Sequence, residues 1–253
     1  MGVKERDLLR SDGRFIVEGK VTLERLIEAS RFTIESLFLS ESRLEPLHAM
    51  LSKLDPAVPV YVGRQAVMDA VTGFHIHRGV LALARRGEEI SAEALIASFG
   101  PHDPLTLLGL ITLANHDNVG ACFRNAAALG ADGVLLDAAS CDPLYRKSIR
   151  VSVGTALSLP FARSVDGEGI LSSLEAAGIE TWALTPSGGE PLQRLKPTSR
   201  LAILLGAEGP GLSPKLMDRC RRVAIPMAAG IDSLNVATAG AIALSHVLAA
   251  RRD

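Results

Sequence analysis

An α/β fold with a mostly parallel sheet is the class that this sequence predicts. Three short apolar runs, at residues 133–136, 180–184 and 201–205, alternate with stretches of helical character. Strands that are buried on both faces read as continuous apolar runs, and alternation with helices is typical of the crossovers that join parallel strands. The 253 residues and their 47% apolar content provide for one large domain or two unequal ones.

The N-terminal part predicts a small β-α-β-α module. Its helix-like stretches are 21–29 and 45–54, and the second carries leucine and methionine at three- and four-residue spacing on one face. The strand-like runs between them are 15–17, 34–39, 58–62 and 80–84.

A domain boundary follows this module. A polar segment comes after the last strand-like run, and Gly-Pro-His-Asp-Pro at 100–104 interrupts the pattern again. We therefore predict a small α/β domain over residues 1–90, a linker over 91–104 and a parallel-sheet domain over 105–253.

The second domain continues the alternation to its end. Ligands of open parallel sheets lie beyond the carboxyl ends of the strands, so the loops that follow its strands are expected to build one site. Its predicted elements are the apolar run 105–114, a helix from about 119, strand 133–136, a helix near 171–177, strands 180–184 and 201–205, a helix after Ser213, strand 223–225 and a final helix over 234–251.

Composition excludes several classes of protein. The formal net charge of −1 argues against a strongly basic arm for nucleic acid, although basic clusters occur at 146–150 and 219–222. The three cysteines and six histidines lack the spacing of a disulfide framework or a metal site, so no metal is expected. No uncharged apolar run reaches the ~20 residues of a membrane span, and residues 1–9 lack an apolar signal core. We expect a cytoplasmic protein without a membrane partner.

The first candidate loop reads Asn-Val-Gly-Ala-Cys-Phe-Arg over residues 118–124. Asn118 offers both a donor and an acceptor, and a guanidinium fixed about one turn into a helix suits the grip of a phosphate or carboxylate through paired hydrogen bonds. The structural alternative is an N-capping Asn118 followed by an Arg124 that is merely on the surface.

The second candidate loop places Gly206, Gly209 and Gly211 around Glu208. Glycine is needed where the backbone takes positive φ or lies close to another group, and three within six residues make a plain turn less probable. The order differs from the Gly-x-Gly-x-x-Gly dinucleotide fingerprint, and the Walker Lys-Ser/Thr is missing. A nucleotide-like ligand held by backbone amides remains open, as does a structural role in which Glu208 caps the next turn.

The third candidate loop runs from Ile225-Pro-Met227 to Ser233-Leu-Asn235-Val. It opens an alanine-rich helix that must pack closely against its neighbours. Ser233 at the helix N-cap is the structural alternative. Asn235 adds amide donors and an acceptor at a helix N-terminus, which favours negative groups.

Taken in order, the three loops resemble the motifs of the SpoU-type branch of the SPOUT RNA methyltransferases. The match is Asn-x-Gly-x-x-x-Arg at 118–124, Gly-x-Glu-Gly-x-Gly at 206–211, and Ile-Pro-Met with Ser-Leu-Asn-Val at 225–236. Residues 15–19 and 77–80 are similar to parts of the small ribosomal-protein-like RNA-binding domain that is often fused ahead of this catalytic domain. One departure is Asn125, which stands where a small Ser or Thr is common.

The resemblance implies transfer of the methyl group of S-adenosylmethionine to a ribose 2′-hydroxyl in structured RNA. It also implies a homodimer whose catalytic domain ends in a deep trefoil knot that binds the cofactor. Backbone groups of the second and third loops are then expected to hold the adenine and ribose. The expected cofactor-binding residues are Thr185, Leu205, Gly206, Glu208, Gly209, Ile225, Met227 and Leu234.

The residues that the resemblance sets around the methyl group and the target ribose are Asn118, Arg124, Glu208, Ser233 and Asn235. A sulfonium makes its methyl electrophilic, so the protein mainly has to align the hydroxyl and remove its proton. The family proposal makes Arg124 the base, but a guanidinium stays protonated at any ordinary pH. We interpret Arg124 as a clamp on an RNA phosphate that stabilises alkoxide charge. Ser233 and Asn235 are expected to orient the ribose, and Glu208 to fix its loop or Arg124.

Ribosomal RNA, 23S in particular, is the preferred substrate, because family members acting on the transfer RNA D-loop commonly lack an additional N-terminal domain. Transfer RNA is the alternative substrate. Two other functions stay open, which are a non-catalytic RNA-binding or ribosome-assembly protein with the same fold and a different α/β enzyme that binds a nucleotide.

Overall fold

The computed structural model describes residues 9, 13–29, 31–72 and 78–252. In chain order the described elements are β1 Arg14–Glu18, α1 Lys20–Glu28, β2 Phe32–Ser40, α2 Glu41–Leu51, β3 Val60–Gly63, α3 Gln65–Thr72, β4 Val80–Arg86, α4 Ala92–Ala97, β5 Leu105–Leu110, α5 His116–Ala128, β6 Gly133–Asp137, α6 Arg146–Val151, α7 Thr155–Ser158, β7 Phe161–Ser164, α8 Gly167–Ala176, β8 Glu180–Leu184, β9 Glu190–Pro191, a 3₁₀ turn Leu192–Arg194, β10 Arg200–Leu205, α9 Pro214–Met217, β11 Arg221–Ala224 and α10 Val236–Ala250.

The chain forms two compact units. The first comprises the described residues up to Glu88 together with Pro143–Ser158, and the second comprises Glu89–Asp142 and the residues from Leu159 onward. The 143–158 excursion lies inside the range 105–253 that the sequence pattern assigns to the C-terminal domain. Its hydrophobic pattern does not differ from that of the residues on either side of it, so the sequence gives no sign that it belongs to the first unit.

A four-stranded mixed sheet builds the first unit in the order β1-β4-β2-β3. Strand β4 is antiparallel to both β1 and β2, and β3 is parallel to β2. All four predicted strands of this unit are present. Helix α1 agrees with its prediction, whereas α2 begins earlier than expected, at Glu41, and α3 was not predicted.

Helices α6 and α7 of the excursion pack on β1 and α1, and Arg146 forms an ion pair with Glu18 at 3.7 Å.

A seven-stranded sheet builds the second unit in the order β7-β6-β5-β10-β8-β11-β9, and every neighbouring pair is parallel. This confirms the predicted fold class. Strands β5 and β6 are buried along their whole length, which explains why their sequences are almost continuously apolar. Strand β7 was not predicted, because its sequence Phe-Ala-Arg-Ser is short and half polar. The edge strand β9 has two residues and no pattern to find.

Helix α10 packs on β10 and on α5, as its small residues predict. Ala237, Gly240 and Ala243 are buried. A Cβ added at Gly240 would lie 2.8 Å from Cδ1 of Leu205, so a larger residue here would force that side chain to move. The close packing brings the N-terminus of α10 to the carboxyl edge of the sheet.

Some expectations lie beyond these observations. The N-terminal residues 1–8 and His75 and His77 fall outside the described residues. No described helix is both long enough and apolar enough to span a membrane. The trefoil knot stays a prediction.

Replacing Leu204 in the central strand β10 tests the assignment of the core. The side chain is fully buried, so Leu204→Ala should lower the free energy of unfolding by about 2–5 kcal/mol. Val165→Ala is the control, because Val165 is 85% exposed and should change it by less than about 0.5 kcal/mol. Trp182 is the only tryptophan and is buried in β8, so its fluorescence in urea follows this unit. Equal losses for the two variants would contradict the assignment.

Candidate active site

A cavity of about 370 Å³ lies at the carboxyl ends of β8, β10 and β11 in the second unit. Its lining includes all eight residues predicted to hold a cofactor, together with Ser233 and Asn235. Other neighbours complete the wall, and apart from Gly211 of the second candidate loop they were not among the predicted site residues, because their apolar character carries no chemical signal. They are Leu184, Pro186, Ala207, Gly211, Val223, Val236 and Ala239.

The loop after β10 doubles back on itself within the cavity wall. The backbone N–H of Gly211 donates to the carbonyl of Ala207 at 3.0 Å. A Cβ added at Gly206 would fall well inside 3.0 Å of backbone atoms of Gly211 and Leu212. The turn therefore requires glycine at 206. The capping alternative for Glu208 is wrong, since the following helix α9 is capped by Ser213, whose hydroxyl accepts from the N–H of Leu216.

The loop before α10 contributes the cap of that helix. The cap is Asn235, whose Oδ1 accepts from the N–H groups of Ala237 at 2.9 Å and Thr238 at 3.3 Å. The proposed capping role of Ser233 is therefore wrong. Ser233 lies exposed in the lining of the cavity, which leaves its hydroxyl available to a ligand.

The loop after β5 differs from its prediction in where the helix starts. Helix α5 begins at His116 and is capped by Asn115, whose Oδ1 accepts from the N–H of Asp117 at 2.8 Å. The alternative in which Asn118 is the cap is therefore wrong, and Asn118 lies in the first helical turn. It is not part of the cavity lining, but its side chain bonds to two residues that are.

A one-directional chain of hydrogen bonds joins the three loops. Asn235 Oδ1 is occupied as a helix cap, so its Nδ2 must donate, and it does so to Asn118 Oδ1 at 2.9 Å. Asn118 Nδ2 then points to Glu208 and donates to its carboxylate Oε1. An ionised carboxylate can only accept, so Glu208 at one end of the chain and the cap of α10 at the other require the same amide orientations. The chain holds Glu208 in the lining of the cavity.

Arg124 lies on the exposed side of α5, just over two turns from the start of the helix rather than the one turn expected. Within the described part of the chain it forms no hydrogen bond or ion pair and does not line the cavity. The next residue, Asn125, points inward instead. Its Nδ2 donates to the carbonyl of Ala237 at 2.9 Å and so ties α5 to the first turn of α10. The sequence marked Asn125 only as a departure from the family pattern.

Two cysteines near the site are not nucleophiles. Burial raises the pKa of Cys122 to about 12, and the Glu208 carboxylate adds to the effect. Burial and Glu208 also raise the pKa of Cys141. Both thiols therefore stay protonated at neutral pH, and covalent thiolate chemistry is not what this site offers.

Residues 106–245, more than half of the chain, match the model of the SpoU rRNA Methylase family. The chain belongs to the SpoU rRNA methylase family. An uncharacterized tRNA/rRNA methyltransferase of Mycobacterium bovis is 40% identical over 243 residues, which cover 94% of this chain and 81% of that protein. A relative of the same description from Mycobacterium tuberculosis has the same identity and coverage.

Solved structures agree with this membership. A structure described as an RNA 2′-O ribose methyltransferase superposes with a TM-score of 0.80 at 26% identity and covers 98% of this chain and 93% of its own. The SpoU methyltransferase AviRb from Streptomyces viridochromogenes, in complex with AdoMet, has a TM-score of 0.83 at 22% identity, covering 98% of this chain and 94% of its own. At that identity the likeness concerns the fold alone.

Substitution of Gly206 should disrupt the turn at 206–211, which forms part of the cavity wall in this SpoU-family protein. Gly206→Ala inserts a methyl group against rigid backbone and should cost about 3 kcal/mol of unfolding free energy. The control is Gly188→Ala, where φ is +71° and nothing lies within 4 Å, so only the cost of the left-handed conformation remains, about 1–2 kcal/mol. Urea unfolding monitored at Trp182 measures both. A smaller loss at 206 than at 188 would contradict the close approach.

The direction of the hydrogen-bond chain can be tested by reversing it. Asn235→Asp keeps a good helix cap but removes the donor to Asn118, whose amide must then turn its oxygen toward Glu208. We expect a loss of about 1 kcal/mol in the free energy of unfolding.

Adding Glu208→Gln to Asn235→Asp supplies a donor to that oxygen and should restore most of the loss. Adding Glu208→Ala removes the charge without supplying a donor and serves as the matched control. Equal recovery from both would mean that charge repulsion, and not amide direction, links the three residues.

Proposed function

We propose that this SpoU-family protein transfers the methyl group of S-adenosylmethionine to a ribose 2′-hydroxyl in structured RNA, with 23S ribosomal RNA as the favoured substrate. The observation that carries the proposal is that the second and third loops line one cavity and that the first loop is bonded to both of them. Loops that are far apart in sequence are linked there through Asn118, Glu208 and Asn235. Family membership supports RNA methylation, and the description of the 26% identical structure supports the 2′-hydroxyl as the acceptor.

The cavity fits the proposed cofactor in size and chemistry. A volume of about 370 Å³ is in the range of small-molecule sites. Apolar side chains such as Leu205, Ile225 and Leu234 offer surface for a purine, and Gly206 and Gly209 contribute backbone to the lining. When bound, S-adenosylmethionine supplies an electrophilic methyl group. Two solved structures with this fold contain bound AdoMet.

Asn118 and Asn235 act as a support for Glu208 in this proposal. Both amide groups are engaged in the hydrogen-bond chain, so their main work is to hold the loop of Glu208 against the first turns of α5 and α10. The alternative role for Glu208, fixing Arg124, lacks support, because Glu208 bonds to Asn118 and no ion pair joins it to Arg124 among the described residues. Ser233 is the exposed hydroxyl that remains to orient the ribose.

Arg124 serves the reaction as a cation. Its guanidinium stays protonated at any ordinary pH, so it stabilises negative charge rather than abstracting a proton. Its exposure and its lack of a described intramolecular partner suit a clamp on an RNA phosphate. Two arginines at or just before β11 are less suited to that task, because each already has an acidic partner. Arg219 pairs with Glu175, and Arg221 pairs with Glu190.

The choice of ribosomal RNA rests on the additional N-terminal unit, and transfer RNA is the alternative that the descriptions of the relatives leave open. We also propose that the protein acts in the cytoplasm as a homodimer, as the resemblance to the family implies.

Removal of Arg124 gives the sharpest functional prediction. Arg124→Ala should lower the rate of methyl transfer about 10²-fold or more, because a lost transition-state donor typically costs that much. Arg219→Ala, which removes an arginine paired with Glu175 on α8, should leave the rate within about twofold. The assay measures labelled methyl transfer from S-adenosylmethionine to ribosomal and transfer RNA of cells that lack the protein, with mapping of alkali-resistant sites.

Label at one ribosomal ribose, lost in Arg124→Ala, is the expected result. Label in transfer RNA alone would identify transfer RNA, the alternative, as the substrate. Absence of label from both RNAs, or an Arg124→Ala variant that retains more than about a tenth of the rate, would contradict the proposal.

A further inference from the structure

The loops that follow β5 and β6 are cross-linked beside the first turn of α5. The backbone N–H of Leu113 donates to Oγ of Ser140 at 3.0 Å, and the N–H of Cys141 returns to the carbonyl of Leu113 at 2.8 Å. The thiol of Cys141 donates to the carbonyl of Ala114 at 2.9 Å. We call this set of bonds, together with those of Thr112 and Asp137, the clasp.

Asp137 is the centre of the clasp. It is the last residue of β6 and is only 3% exposed. Its carboxylate accepts from the backbone N–H of Thr112 at 2.9 Å and 3.0 Å, and from the hydroxyl of Thr112 at 3.0 Å. It also accepts from the N–H of Ser140 at 2.9 Å and from its hydroxyl at 2.6 Å. The two N–H groups can only donate and the two hydroxyls donate in this arrangement, which favours a group that only accepts.

Thr112 has a backbone conformation that it would not adopt unaided. Its φ is +58°, and a β-branched residue in the left-handed region is a genuine outlier. Such a conformation costs about 1–2 kcal/mol and persists only where its surroundings hold it. The bonds from Asp137 to the N–H and hydroxyl of Thr112 supply that hold.

The strained residue sets the path of the chain into α5. Only Leu113 and Ala114 separate Thr112 from the helix cap Asn115, and both are fixed by the clasp. Asn118 follows in the first turn and Arg124 two turns on. The side chain of Arg163 supports the loop after β6, because its Nη2 donates to the carbonyls of Ala138 and Ser140 at 3.3 and 3.2 Å.

We propose that Asp137 is a positioning residue for the reaction, which acts through the left-handed turn at Thr112 to set the start of α5 and thereby the places of Asn118 and Arg124. Its effect on methyl transfer rests on the proposed function. Its effect on the geometry of α5 does not. The loops that line the cofactor cavity follow other strands, β8, β10 and β11, so the proposal separates turnover from cofactor affinity.

The test replaces Asp137 by Asn, which keeps the shape and turns a nitrogen donor toward the N–H groups. Asp137→Asn should lower kcat about tenfold or more, since a misplacement of about 1 Å can cost as much as about 10²-fold. The Kd of S-adenosylhomocysteine, titrated by Trp182 fluorescence, should stay within about threefold. Amide hydrogen exchange of residues 112–119 should rise, while that of 201–206 stays unchanged.

A matched pair at Thr112 controls for the lost hydroxyl. Thr112→Gly loses the hydroxyl but adopts the left-handed backbone freely, and should keep kcat within about threefold. Thr112→Val loses the same hydroxyl and keeps the backbone strain, so its kcat should fall about as far as that of Asp137→Asn. Equal kcat in the two Thr112 variants would overturn the role of the backbone turn.

Unchanged kcat and unchanged exchange in a folded Asp137→Asn protein would overturn the proposal, as would parallel losses of kcat and cofactor affinity. An inactive wild-type protein would instead count against the proposed function, and the exchange measurement would then decide the positioning role alone.

Discussion

The site depends on one close backbone approach, where the chain leaving the central strand β10 folds back on itself. At Gly206 there is no room for a Cβ, because the backbone of Gly211 and Leu212 lies against it. This turn makes part of the cavity wall and, in the same few residues, directs Glu208 toward α5. A wider turn would separate the cavity from the residues proposed to act on the RNA.

The carboxyl edge of the sheet is thus divided into two adjoining parts. The ends of β8, β10 and β11 enclose the cavity, whereas the ends of β5 and β6 carry the clasp and the start of α5. The chain from Asn235 through Asn118 to Glu208 joins the two parts, and Asn125 ties α5 to α10 beside it. These bonds join protein groups to one another and hold the polar side chains in place, which is how a protein limits the cost of aligning a reaction.

Much of this arrangement follows from the sequence, since apolar runs define buried parallel strands and the second and third motifs identify much of the lining of the cavity. The caps could not be predicted in the same way. Asn115 and Asn118 are both plausible caps, as are Ser233 and Asn235, and tertiary bonds decide between them. The turn at Thr112 was invisible, because no propensity predicts a β-branched residue in a left-handed conformation. The excursion 143–158 was equally hidden, because its partners lie more than a hundred residues away.

Calorimetric titration of the purified wild-type protein with S-adenosylhomocysteine tests the central claim most directly, which is that the loops after β8, β10 and β11 form one cofactor site. The account predicts saturable binding of one molecule per chain in the absence of RNA, and no binding of ATP under the same conditions. Binding of ATP without binding of S-adenosylhomocysteine would contradict it, and would make this cavity the site of a different nucleotide.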